Sequence, residues 1–126
     1  MPKQVLVCDD EPYIVESVSY VARKAGFHVL TAEDGDTALA VARAEKPELV
    51  FLDIMMPGLS GDEVCRRLKA DPATKQMYVV ILTARGQEED ERRAMAMGAN
   101  EFMTKPFSPR KLKEKMLHVL GGAVRA

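Results

Sequence analysis

Three apolar runs along the chain each break off at a polar residue. Val5-Leu6-Val7-Cys8 stops at Asp9-Asp10, Leu49-Val50-Phe51-Leu52 at Asp53, and Val79-Val80-Ile81-Leu82 at Thr83. A shorter segment, Phe102-Met103-Thr104, stops at Lys105-Pro106. Continuous runs of β-forming residues, rather than strict alternation, predict strands buried on both faces, as in a parallel sheet. Between the runs the apolar spacing becomes helical: Ile14, Val18, Val21, Ala22 and Ala25; then Ala38, Leu39 and Ala42; then Val64 and Leu68; finally Leu112, Met116, Val119 and Leu120. Start and stop signals agree with these helices. Pro12 suits a first turn, Asp34-Gly35-Asp36 opens the second helix, and Ser60 with Glu63 has capping-box spacing for the third. Ser108-Pro109 is a good cap and first position for the fifth. Gly26, Lys46-Pro47, Asp71-Pro72 and Gly98 read as stops, the last ending a fourth helix near Gln87 to Met97.

Strand and helix thus alternate five times without a break in composition. The segments His28-Val29-Leu30-Thr31 and Glu101-Phe102-Met103-Thr104 mix polar with apolar residues and read as edge strands. Right-handed crossovers between such edges favour the order 2-1-3-4-5. The expected fold is α/β: a doubly wound five-stranded parallel sheet flanked by five helices, flavodoxin-like. In that sheet all strands point one way, so their C-terminal ends open onto one edge, where such folds place ligands.

Composition narrows the function without naming it. With 126 residues the chain is expected to form one domain around a single core. Its net charge of −1 lacks the basic excess of a nucleic-acid binder. It has no apolar stretch near the roughly 18 residues that span a bilayer, and no basic-then-apolar leader, so a cytoplasmic location is expected. Cys8 and Cys65 have neither metal-knuckle nor redox spacing, and two buried thiols fit a reducing compartment. His28 and His118 have no acidic or thiol partner at ligand spacing and read as ordinary surface or edge residues.

The strand ends carry the chemistry. Asp9, Asp10 and Asp53 on neighbouring strands repel one another; two charges 4 Å apart at an effective dielectric near 20 interact by about 4 kcal/mol. A cation or a proton relieves such a cluster. Carboxylate oxygens without His or Cys point to Mg²⁺, with Mn²⁺ the alternative, rather than zinc. A carboxylate can also become an aspartyl-phosphate, and phosphoryl transfer asks mainly for positioning and charge neutralisation.

At this point the chain resembles the receiver domains of two-component response regulators from about Lys3 to Leu120. The matching residues are Asp9-Asp10, Asp53-Ile54-Met55-Met56-Pro57-Gly58, Thr83-Ala84 and Lys105-Pro106-Phe107. The family is itself an example of the 2-1-3-4-5 order, so order and resemblance are one expectation rather than two. The resemblance implies that Asp53 accepts a phosphoryl group from a histidine kinase or histidine phosphotransfer protein. It implies that Asp9, Asp10, Asp53 and the Met55 carbonyl hold Mg²⁺. Thr83, Ala84 and Lys105 would bind the phosphoryl oxygens, the Lys105-Pro106 peptide would be cis, and Thr83 and Phe102 would form the switch.

By the same resemblance Met55 and Arg85 would tune phosphoryl lifetime, and a downstream effector would read the face of helix four, strand five and helix five. The acidic start of helix four and the basic helix five suggest a homodimer through that face. Residues 1–121 would be the receiver and 122–126 a tail or the start of a linker. Self-catalysed phosphoryl uptake and autodephosphorylation are expected, and no enzymatic turnover of a separate substrate. Two alternatives stand beside this: a Mg²⁺-dependent aspartyl-phosphate phosphatase, for which Met55 replaces the usual second acid, and an unphosphorylated pseudo-receiver serving as an interaction module.

Overall fold

A computed structural model describes residues 3–84 and 88–121. Five strands and five helices alternate: β1 (Gln4–Cys8), α1 (Pro12–Lys24), β2 (His28–Ala32), α2 (Gly35–Glu45), β3 (Leu49–Asp53), α3 (Gly61–Ala70), β4 (Tyr78–Ala84), α4 (Glu88–Ala96), β5 (Glu101–Lys105) and α5 (Pro109–Leu120). All strand pairings are parallel, and the order is β2-β1-β3-β4-β5. The mixed strands are the edges, because only an edge strand can leave polar side chains in water without burying them.

Strand alternation splits the core into two layers. Val5, Val7, Leu49, Phe51, Val80 and Leu82 pack with α1 and α5. Leu6, Cys8, Val50, Leu52, Val79 and Ile81 pack with α2, α3 and α4. Both cysteines are free and buried. Burial pushes the Cys65 thiol up to about 11, so it stays protonated and behaves as an apolar side chain.

Helix ends mostly follow the sequence signals. Asp34 caps α2 by accepting from the Thr37 amide, and Ser108 caps α5 by accepting from the Lys111 amide. Gly26, just beyond α1, has φ +93, and Gly98, beyond α4, has φ +99. The capping box of α3 is a correction. Ser60 is the N-cap but its side chain makes no cap hydrogen bond. Glu63 turns away and pairs with Arg66 at 2.5 Å and Arg67 at 2.9 Å. Two guanidinium groups one turn further on offer this carboxylate charge-assisted bonds, which outcompete a single backbone amide.

The loop from β3 to α3 packs against neighbouring backbone at Gly61. A Cβ there would lie 2.2 Å from the Asp53 carbonyl oxygen and 2.8 Å from the Ile54 Cα. The Gly61 amide donates to the Ile54 carbonyl at 3.0 Å. Only glycine allows that approach, which holds the start of α3 against the end of β3.

Candidate functional site

Register decides which strand-end residues meet. Cys8 pairs with Leu52, Asp53 with Leu82, Thr83 with Thr104, and Ala84 with Lys105. Paired residues in a parallel sheet point to the same face, and successive residues alternate. Asp53 and Lys105 therefore share the α1–α5 face with Phe51 and Met103. Thr83 shares the α2–α4 face with Ile81.

Asp9, Asp10 and Asp53 each offer a carboxylate oxygen, and these oxygens lie within 4.8 Å of one another. Asp9 is fully buried and Asp53 nearly so, while Asp10 is exposed. Lys105 reaches into the acids from β5. Its Nζ lies 2.8 Å from Asp9 Oδ2, 3.0 Å from Glu11 Oε1 and 3.5 Å from Asp53 Oδ1. The first is a charge contact not aligned as a hydrogen bond, the second a hydrogen bond, and the third is too long for one. Asp9 Oδ1 also accepts from the Glu11 amide at 2.9 Å, and Asp53 Oδ1 accepts weakly from the Met55 amide at 3.3 Å. The Lys105-Pro106 peptide is cis.

Two titrations follow from this crowding. Burial, then the charge of Asp9, push the Asp53 carboxyl from 3.8 up to about 6, against the pull of Lys105. At neutral pH Asp53 is thus an anion kept in an unfavourable place. For Lys105, burial works against the ammonium, but Asp9, Glu11 and Asp53 outweigh it and raise its pKa.

An open cleft of about 620 Å³ lies over these residues, lined by Asp10, Glu11, Tyr13, Asp53, Ile54, Met55, Ala84, Asp90 and Lys105. Met55 is 69% exposed at its rim. Thr83 is not among the lining residues. Its hydroxyl is fully buried on the other face of β4 and has no hydrogen-bond partner among the described residues. A buried hydroxyl left unpaired costs about 1–3 kcal/mol, an expense that a ligand oxygen or a rotation could remove. Phe102, on the same face as Thr83, is 37% exposed. Arg85 lies outside the described residues.

Two cleft residues were not singled out from sequence. Glu11 follows the acidic pair directly, and a third consecutive acid was the available signal. Asp90 comes from the first turn of α4, inside a charge run that reads as a solvated face. It sits 3.7 Å from Arg93, which is also 3.7 Å from Asp62 of α3.

The donor set suits a hard divalent cation. Three oxygen-bearing acids converge without His or Cys, and their repulsion is only partly met by a single ammonium. Among the described residues, no helix is long and apolar enough to cross a membrane.

The family described as "Response regulator receiver domain" matches residues 5–117. The alkaline phosphatase synthesis transcriptional regulatory protein PhoP of Bacillus subtilis is 42% identical over 121 residues, 95% of this chain and 49% of that protein. Protein PilH of Pseudomonas aeruginosa is 37% identical over 119 residues, 94% of this chain and 98% of that protein. A putative response regulator from Chloroflexus aurantiacus superposes with a TM-score of 0.90 at 30% identity, covering 96% of this chain and 99% of that one. The chain spans about half the length of the transcriptional regulators among these relatives.

Proposed function

Because this chain belongs to the response regulator receiver domain family, we propose that it is a phosphorylation-driven binding switch with Asp53 as phosphoacceptor. A carboxylate oxygen of Asp53 attacks the phosphorus of a phosphohistidine on a histidine kinase or phosphotransfer protein. The O–P bond forms as the N–P bond breaks, and the imidazole leaves with a proton from solvent. The observation that carries this reading is the meeting of Asp53 with Asp9 and Asp10, oxygens within 4.8 Å, beside Lys105.

Asp9, Asp10, Asp53 and the Met55 carbonyl are the residues that would hold Mg²⁺ or Mn²⁺. Such an ion, when bound, neutralises the acids and the oxygens of the transferring group. Lys105 brings positive charge from the β5 side. Ala84, on the cleft wall, and Thr83, whose hydroxyl has no partner among the described residues, are the groups to bond phosphoryl oxygens. Rotation of Thr83 toward the cleft would open space on the α4 side for Phe102 to turn inward. The face of α4, β5 and α5 would change, and an effector or a second copy of the chain would read it. Exposed Met95 and half-exposed Phe102 give that face an adaptable apolar surface. In this reading the chain takes up and loses its own phosphoryl group in the cytoplasm, turns over no separate substrate, and contacts neither nucleic acid nor membrane.

Incubation with acetyl phosphate and Mg²⁺, followed by intact-mass measurement, tests the reading. One added phosphoryl unit is expected on the parent and none on Asp53→Ala. An unmodified parent, or equal modification of both, would sink it.

A further inference from the structure

Lys105 has three N–H donors and three acid neighbours, and they are not equivalent. Asp9 and Glu11 stand at 2.8 and 3.0 Å, whereas Asp53 stands at 3.5 Å. In this state the ammonium belongs to the two acids of the β1–α1 junction rather than to Asp53. Those two differ in how firmly they can hold it. The Asp9 side chain has no exposure, so breaking its contact would strand a buried charge. The Glu11 side chain is 45% exposed, and water can replace the lysine at little cost.

The helix end makes the placement of Glu11 more telling. Glu11 is the N-cap residue of α1, with φ −93 and ψ 112, yet its side chain makes no cap hydrogen bond. Glutamate is outside the preferred cap set, whose short oxygens reach back to the helix amides. Here the longer side chain extends away from its own helix to a lysine 94 positions along the chain. The cap is forgone and the ion pair is made.

We propose that Glu11 is a positioning residue that restrains Lys105, a releasable counter-ion competing with Asp53 for the ammonium. This rests on the function proposed above. A phosphoryl group on Asp53 would draw Lys105 away from Glu11, the exposed partner, while Asp9 keeps its contact. Glu11 thereby sets how much a new charge on Asp53 must do before the lysine moves. An exposed pair of this kind corresponds to a factor of about two to five in an equilibrium constant.

The test uses the chain with Mg²⁺ and beryllofluoride, a phosphoryl mimic, and compares the parent with Glu11→Gln and Glu16→Gln. Gln keeps the shape of Glu11 and removes its charge. Glu16 is an exposed acid of α1 with no ion pair among the described residues, so it reports the general effect of deleting one negative charge. Beryllofluoride should bind about two- to five-fold more tightly to Glu11→Gln and unchanged to Glu16→Gln. In a crystal structure of metal-free Glu11→Gln, Lys105 Nζ should move within about 3 Å of Asp53 Oδ1.

Equal or weaker binding by Glu11→Gln, or the same gain in Glu16→Gln, overturns the proposal. So does a Lys105 that stays beyond hydrogen-bonding distance of Asp53 in the metal-free variant. If the parent itself ignores beryllofluoride, the proposed function fails instead, and the metal-free lysine position still decides the role of Glu11.

Discussion

Replacing Asp53 by Asn should stabilise the metal-free chain at neutral pH. The buried Asp9 oxygen lies within 4.8 Å of Asp53, so at an effective dielectric near 20 it repels the carboxylate by at least about 3.5 kcal/mol, while the exposed Asp10 adds less. Lys105, at 3.5 Å, returns about 5 kcal/mol on the same scale. Burial is the largest contribution against the anion, followed by Asp9, and together they outweigh Lys105. The rise of the carboxyl from 3.8 to about 6 expresses the same balance as about 3 kcal/mol.

The sign follows from proton binding. Between pH 4 and 6 the folded chain keeps a proton on Asp53 that the unfolded chain has lost, so stability falls as pH rises through this window. Below pH 4 both states are protonated and the penalty is absent. Asn has nearly the same shape, carries no charge, and its oxygen can still accept from the Met55 amide. Urea denaturation in EDTA at several pH values should show Asp53→Asn about 2–3 kcal/mol more stable than the parent at pH 7. The difference should shrink toward zero near pH 4. Mg²⁺ at about 100 times its dissociation constant should then restore about 2.7 kcal/mol to the parent and less to the variant. A variant no more stable than the parent at pH 7 in EDTA would refute this electrostatic account.

Three further substitutions probe separate parts of the site. Lys105→Met leaves Asp9 and Asp53 without their shared cation and should cost about 3–5 kcal/mol in EDTA, with a substantial part recovered in Mg²⁺; thermal melts in both buffers read the difference. Gly61→Ala forces a methyl into the backbone of Asp53 and Ile54 and should cost about 1–3 kcal/mol or more, with weaker Mg²⁺ binding by calorimetry. Thr83→Val removes a hydroxyl without a partner among the described residues at nearly constant volume, so stability should hold or rise by about 1 kcal/mol. If Thr83 has its proposed role, the same variant should still take up phosphate by intact mass but lose the change in Phe102 seen by NMR.

Much of this molecule was legible before folding was considered. Unbroken β-forming runs such as Val79 to Leu82 read as strands covered on both sides, and the mixed composition of Glu101 to Thr104 reads as an edge. These local facts carry the alternation of elements and the edge where Asp9, Asp10, Asp53 and Lys105 gather, because patterning and chain connectivity are properties of the sequence itself; the order 2-1-3-4-5 is one expectation with the family resemblance. The tertiary structure decided what depends on distance and face. Alternation past Leu82 turns Thr83 away from the cleft, a pair of arginines takes Glu63 from the Ser60 cap, and α4 swings Asp90 into the wall. It also divides one lysine unequally among Asp9, Glu11 and Asp53. Competition among charges a few tenths of an ångström apart in reach has no signature in residue order; only packing ranks the partners.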